Sequence, residues 1–393
     1  MKVAVIGGGV GGLAASLALR QVGVHTTVFE RQHRFPRVAV GIVLTPNGVR
    51  ALDVLGVGDQ VRERGHCLSR EAAHQVSTLD GESLGAIRYG EFYQRHGTPF
   101  VVIRRADLQQ ILLDAHGQVG LRMGAALLEV RDGDHAATAY FADGSHMSAD
   151  AVVGADGLRS AVRAQLFGME PPRHVATTLR GITRRELPPD RTDGFTVVGP
   201  GLGLFFAPLG PAEMYWTATI ISSEGWPRDP AESMERLLER LERWPSIVSE
   251  LVRAVDREYL VATDLADRSP LAVWSKGRIT LLGDAAHAMT NFLGQGANTT
   301  LEDAVVLARC LDRVESDDVA DALTGYELER IGRTTRIVQS SAALASGEWS
   351  RDTAEIFRGY LEKVLNGEFM DWVYGFSSDT GHPRRPQETE ARS

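Results

Sequence analysis

"KVAVIGGGVGGLAASLALR", Lys2–Arg20, carries the fold assignment. Within the strand Lys2–Ile6, the residues after Lys2 form a short unbroken apolar run, the pattern of a strand buried on both faces of a parallel sheet. Leu13, Leu17 and Leu19 belong to a helix that follows. Between them, Gly7, Gly9 and Gly12 fit G-x-G-x-x-G. The first glycine permits the tight turn, the second lets a pyrophosphate approach the backbone, and the third lets helix pack on strand. A helix beginning there offers free N–H groups and the positive end of its dipole to phosphates. "HTTVFE" supplies the second strand and ends in Glu30, eighteen residues beyond Gly12. A carboxylate at that point accepts bonds from ribose hydroxyls and repels a 2′-phosphate. We place Glu30, with Arg31 beside it, among the cofactor-binding positions. The basic start and small residues also suit a leader peptide, but so many glycines make a poor apolar helix. The fingerprint fits an NAD enzyme and a flavoprotein equally.

Composition narrows the class. A chain of 393 residues with 43% hydrophobic content can bury a large core. Its net charge of −9 argues against a nucleic-acid binder, which needs a basic face to displace counterions. The only lysines are Lys2, Lys276 and Lys363, so the positive charge is almost entirely arginine. Cys67 and Cys310 lie far apart, with no metal spacing and no disulfide framework, as expected in a reducing cytoplasm. No run of about 18 apolar residues predicts a membrane span.

Outward from the fingerprint, a helix is expected over "NGVRALDVLG", ending at Gly56. Residues 67–103 read as β-structure with an Asp80-Gly81 turn, and "ADLQQILLDAH" as a helix. Three short strands then turn at "RDGD" and "ADGS". "AVVGADG" is a second buried strand with a glycine-rich exit. From about 170 to 275 the chain turns β-rich and aromatic, with one helix over "ESMERLLERLERW". "GRITLLGDAAH" returns to the buried-strand-then-loop style, and residues 320–375 read as mostly helical. The expected fold is α/β: a Rossmann-type domain built from 1–66, 101–168 and 276–375, the last with C-terminal helices. A β-rich substrate domain, 67–100 and 169–275, is interleaved with it, and 376–393 is a flexible tail.

Three further stretches separate the flavoprotein from the dehydrogenase. "RRADLQQIL" places an arginine at a helix start, "GADGLRSAVR" follows a buried strand, and "GDAAHAMTNFLGQGAN" spans Gly283–Asn298. Together with the fingerprint, in this order, they resemble the FAD-dependent aromatic hydroxylases, or class A flavin monooxygenases, from Met1 to about residue 375. The resemblance implies that Gly7, Gly9 and Gly12 hold the FAD pyrophosphate and Glu30 the adenosine ribose. Arg105 would lie along the phosphate and ribityl side, and Asp284 would bond the ribityl chain. The backbone of Gly296, Ala297 and Asn298, with Gly294 before it, would face the flavin pyrimidine edge. Asp156 would be tied to FAD binding and to use of the nicotinamide cofactor.

The residues support that placement in their own terms. A helix beginning near Asn298 presents unpaired N–H groups to a reduced, anionic flavin. Glycines at 294 and 296 let the backbone approach a flat ring. Thr299 and Glu302 have capping-box spacing. His287 reads as packed against neighbouring backbone, and Arg163 as the partner of a surface carboxylate. Where the family often has G-D-A-A-H-P-x-x-P, this chain carries Ala288 and Asn291. Each gains an N–H and loses a fixed φ. Asn291 therefore either bonds a substrate hydroxyl or the peroxide, or points to solvent.

The resemblance further implies a single-component enzyme that uses NADH or NADPH and O2 to hydroxylate an electron-rich small molecule through a flavin C4a-hydroperoxide. Substrate contacts are expected from Phe206, Pro208, Tyr215, Trp216 and Asn291, and no catalytic base stands out. Epoxidation or Baeyer–Villiger chemistry on the same scaffold stays open. A flavin halogenase fits less well, because its W-x-W-x-I-P stretch is missing. A plain NAD dehydrogenase leaves "GDAAH…GQGAN" without a use. A cytoplasmic monomer or homodimer without nucleic-acid or membrane partners completes the expectation.

Overall fold

The computed structural model describes residues 1–35, 40–69, 71, 73–117, 119–185, 193–221, 225–345, 353–365 and 367–377. Strand Lys2–Ile6 is the middle of a five-stranded parallel sheet. The order is Ile279–Leu281, Ala151–Gly154, Lys2–Ile6, His25–Glu30 and Leu121–Met123. Val3, Ala4, Val5, Ala151, Val152 and Val153 are fully buried, as continuous apolar runs in a parallel sheet require. Because neighbours run parallel, Gly7, Glu30, Asp156 and Asp284 all emerge at one edge of the sheet. Ligands of open α/β sheets bind at that carboxyl edge.

Helix Val10–Gln21 leaves the fingerprint and packs on helix Gly296–Leu311. The contact is close because Gly11 has no side chain. A Cβ there would lie 2.6 Å from Thr300 Cγ2. A three-stranded antiparallel meander, Leu127–Arg131, Ala137–Phe141 and His146–Ala149, follows the expected turns.

A seven-stranded sheet faces the cofactor side. Its order is Val261–Asp267, Arg173–Thr183, Glu213–Ile220, Leu202–Gly210, Phe195–Gly199, His74–Thr78 and Ser83–Ile87. The early hairpin thus joins the later strands, through a parallel pairing of Phe195–Gly199 with His74–Thr78. One face of this sheet is closed by helices Pro230–Arg240 and Ser246–Arg253, through Leu237, Val248, Leu251 and Val252. Its other face lies towards the cofactor edge.

The β reading of residues 67–103 needs correction. Tyr89–His96 is a helix, closed by Gly97 in the left-handed region. Val101–Arg104 pairs instead with Gly41–Leu44 and His66–Cys67 in a small separate sheet. Helices Thr353–Tyr360 and Glu368–Tyr374 share a core with the early hairpin, so the C-terminal helices cover the outer end of the seven-stranded sheet. Of the expected tail, 378–393 lies outside the described residues, whereas Phe376 is buried and its carbonyl accepts from Arg50.

Candidate active site

A single cavity of about 960 Å³ runs from the fingerprint to the seven-stranded sheet. Gly7, Gly9, Glu30, Arg31, Arg105, Asp156, Asp284, Gly294, Gly296 and Ala297 all line it, as do Asn291 and Tyr215. Residues separated by nearly the whole chain are thereby brought to one wall.

The glycines divide by what surrounds them. Gly7 has φ +110°, and a Cβ there would sit 2.3 Å from the carbonyl oxygen of Ala155. Gly12 does not reach the cavity, since a Cβ at that position would lie 1.8 Å from Gly7 O. It is the helix-packing glycine. Gly9 and Gly294 have no atom within 4 Å of the Cβ position, so the backbone there is open to a ligand. Glu30 Oε2 accepts the Gly8 N–H at 2.8 Å, which fixes the carboxylate beside the turn. Asp156 Oδ2 accepts from Ala161 N at 2.7 Å, while the buried Oδ1 has no partner among the described residues. Burial raises its carboxyl above the ordinary aspartate value. Open glycine backbone and a free carboxylate oxygen at the wall fit a dinucleotide bearing hydroxyl groups.

Helix Gly296–Leu311 begins two residues earlier than expected, and no side chain caps it. The capping-box reading fails. Thr299 Oγ1 donates back to Gln295 O at 2.8 Å, and Glu302 points into the core. The first-turn N–H groups therefore stay available to a ligand. Asn298 does not line the cavity. It is buried, accepts from Thr45 N at 3.0 Å and donates to Gly294 O at 2.7 Å and Val43 O at 3.1 Å. It clamps the helix start to the first segment of the chain.

Beneath this loop lies a buried charge network. Glu302 accepts from Arg330, Arg333 and Asn47, each at 2.7 Å. Asp303 accepts from Arg330 Nε at 2.7 Å, from Gly283 N at 3.1 Å and from His287 at 2.5 Å. His287 is thus bound to a carboxylate rather than packed on backbone, with Trp274 beside its ring. Burial alone would raise both carboxyls, but the neighbouring cations outweigh it and hold both below their ordinary values. Arg163 pairs with the exposed carboxylate of Glu170 at 3.5 Å, and its buried guanidinium also donates to Ala285 O and Ala286 O, bracing the Gly283–His287 turn.

On the sheet, parity settles the substrate candidates. Phe206 and Trp216 are paired in register and face the helix-covered core, where Trp216 Nε1 donates to Thr183 Oγ1. Pro208, opposite Met214, is buried and does not line the cavity. Of the expected strand residues only Tyr215 lines it, together with the odd-numbered Phe205 and Thr217. Strand side chains alternate, so an error of one residue reverses the face. Sequence reading also missed Thr196, Arg180, Tyr89, Phe100, Tyr360 and Tyr374 on the same wall. Alternation was the available signal: it is blurred in "LGLFFAPLG", apolar in both phases, but in "EMYWTATI" Met214, Trp216, Ala218 and Ile220 form the apolar phase and Glu213, Tyr215, Thr217 and Thr219 the polar one.

Comparison with known proteins agrees with this geometry. The FAD binding domain family matches residues 1–341. Aurachin C monooxygenase/isomerase of Stigmatella aurantiaca is 34% identical over 94% of this chain and 96% of its own. A 3-hydroxybenzoate 6-hydroxylase of Polaromonas naphthalenivorans is 32% identical over 96% of each. The crystal structure of Klebsiella pneumoniae HpxO complexed with FAD and uric acid superposes with a TM-score of 0.83 at 27% identity, covering 97% of this chain and 96% of that one. The chain belongs to the FAD-dependent class A flavin monooxygenases, and FAD is its cofactor. Among the described residues, no helix is long and apolar enough to cross a membrane.

Proposed function

We propose that the protein hydroxylates an aromatic or similarly electron-rich small molecule, with NADH or NADPH as transient reductant and O2 as the oxygen donor. The continuity of the cavity carries this reading: one space is lined by Gly9 and Asp284 at one end and by Phe205 and Thr217 at the other. Cofactor and substrate would therefore meet without crossing solvent. FAD supplies the electron transfer and oxygen activation when bound.

This chain's own residues bind, orient and exclude water. Gly7, Gly9 and the start of helix Val10–Gln21 would take the pyrophosphate, with Arg31 and Arg105 as its counter-charges. Glu30 would hold the adenosine ribose, and Asp284, exposed on the cavity wall, the ribityl hydroxyls. The Gly296 and Ala297 N–H groups would stabilise negative charge on the flavin's pyrimidine edge. Asn291 stands on the wall beside these groups, within reach of substrate. Val76, Ile87, Tyr89 and Phe100 make the far end apolar, which keeps water from the reacting ring. The three-part cofactor domain and interleaved substrate domain, in a cytoplasmic enzyme, belong to the same reading. Substrate-dependent NAD(P)H oxidation with one O2 consumed per product tests it. NAD(P)H oxidation without O2 uptake would point to a dehydrogenase instead.

A further inference from the structure

The far end of the cavity is walled by one apolar cluster. Val76, Phe100 and Leu365, with Tyr89, Tyr360 and Tyr374, belong to a single packed core, and all six line the space. They are gathered from the early hairpin, from residues 89–100 and from the C-terminal helices. Among the described residues, the charged groups of the wall lie around the cofactor edge, apart from Arg180 on the seven-stranded sheet. The pairings Arg180–Thr217, Thr217–Phe205, Phe205–Thr196 and Thr196–Val76 set Arg180 four strands from Val76. That is roughly 19 Å at about 4.8 Å per strand. The far end is therefore remote from charge.

Its polar atoms are phenol hydroxyls. Tyr360 has its own occupied, donating to Phe292 O at 2.9 Å and tying helix Thr353–Tyr360 to the cofactor loop. Tyr89 and Tyr374 are only 6% and 3% exposed, and among the described residues their hydroxyls bond to nothing. The two rings flank Phe100, whose centroid lies 4.6 Å from that of Tyr89 and 5.1 Å from that of Tyr374. Asp371, on the same helix as Tyr374, is already paired with Arg95 and His96. Burial raises both phenols above the ordinary tyrosine value, and for Tyr374 the neighbouring Tyr89, Tyr360 and Asp371 add to the rise. Both groups thus remain O–H donors at any working pH. A buried donor without a partner is costly, and an apolar pocket offers a water too few bonds to hold it there.

We propose that Tyr89 and Tyr374 together bind a neutral carbonyl oxygen of the substrate, so that the enzyme takes an uncharged aromatic ketone or ring-carbonyl compound. Its carbonyl-bearing end fills the apolar pocket, and its electron-rich ring lies towards Phe205 and the flavin. A carbonyl oxygen has two lone pairs and no proton of its own, so it accepts from both hydroxyls. A carboxylate in the same place would be desolvated without a cation to pair it. This substrate class rests on the proposed monooxygenase function.

The test uses FAD-loaded protein and matched phenols with and without a carbonyl. The pairs are hydroxytetralone against hydroxytetralin, hydroxychromanone against hydroxychroman, and hydroxyacetophenone against ethylphenol. Binding is read from the perturbed visible flavin spectrum. Wild type binds at least one ketone more tightly than its deoxo partner. Tyr89→Phe and Tyr374→Phe, which remove only a hydroxyl, each weaken that ketone by about three- to tenfold, the range of a neutral hydrogen bond, and leave the partner little changed. Tyr360→Phe keeps the preference, because its hydroxyl is held by Phe292 O. FAD content stays at the wild-type level in all three variants. No ketone preference in wild type, no binding of any probe, or an unaltered preference in either Tyr89→Phe or Tyr374→Phe overturns the assignment. Ketone binding without O2 uptake on any substrate would leave the site standing and count against the monooxygenase reading. O2 uptake coupled to product with no ketone preference would count against the site alone.

Discussion

Asp303 accepts a hydrogen bond from His287 at 2.5 Å, with both side chains buried at the foot of the Gly283–Asn298 loop. The same carboxylate holds Arg330 and the N–H of Gly283, so one residue fixes the loop's start to the long helix Val319–Ala345. Replacing Asp303 with Asn would leave Arg330 under-compensated in a dry interior. We expect Asp303→Asn to lose about 3 kcal/mol of stability, as for other broken buried ion pairs, and to retain less FAD on gel filtration. Wild-type denaturation behaviour would show that the network is dispensable.

The glycines of the fingerprint separate structure from cofactor binding. Gly9 has an extended backbone and open space around its Cβ position. Gly9→Ala should leave the apoprotein as stable as wild type, or raise it by roughly 0.4–1 kcal/mol, while weakening FAD retention. Gly12→Ala should destabilise the apoprotein itself, because its Cβ would meet Gly7 O at 1.8 Å. Thermal unfolding of stripped protein, paired with FAD titration, distinguishes the two. Equal loss of apoprotein stability in both would contradict the division.

Adjacent residues Phe205 and Phe206 make a second matched pair. Phe206 is fully buried against Phe195, with ring centroids 4.6 Å apart. Phe206→Ala should cost about 3–5 kcal/mol, the usual range for a deleted core aromatic. Phe205→Ala opens towards the cavity and should act mainly on substrate KM and on the coupling of NAD(P)H use to product. The reverse pattern would mean that the sheet presents its other face.

Much of this was legible beforehand, and the gaps have physical causes. The strand, turn and helix of Lys2–Arg20 and the GDAAH loop are local patterns, and each carries its function in a few adjacent residues. Sheet parity is not local where both phases are apolar, as around Phe205 and Phe206, whereas along Glu213–Ile220 the alternation of Met214, Trp216, Ala218 and Ile220 with polar residues already marks Trp216 as core. The ion-pair network is also hidden. Glu302 meets Arg330 and Arg333 only because two helices pack side by side, and the Thr299–Glu302 spacing mimics a cap that does not form. Helix Tyr89–His96, with three aromatic residues, reads as strand until its neighbours are known.

His74 sets a pH dependence. It is fully buried behind Phe205, with ring centroids 4.8 Å apart, and Nε2 is 2.7 Å from Thr196 Oγ1. Burial pushes its pKa down from 6.5 to about 3. Below pH 6.5 the unfolded chain takes up a proton that the folded one refuses, so stability falls as pH drops from about 6.5 towards 3. His116, held at about 4 by burial and by Arg20, acts in the same direction. We expect the wild-type Tm to fall between pH 7 and pH 5, and His74→Gln to flatten part of that slope. An identical slope in the variant would contradict the assignment.

The central claim is that one continuous cavity brings FAD and an organic substrate together for transfer of a single oxygen atom. Turnover of a panel of phenols, heteroaromatics and polyketide-like aromatics under 18O2, with NAD(P)H and FAD-loaded protein, measures it directly by product mass. The account predicts a product carrying one 18O atom, formed one per O2 consumed, with no label incorporated from H218O. Product without the isotope, or 18O found only in hydrogen peroxide across the whole panel, would contradict it.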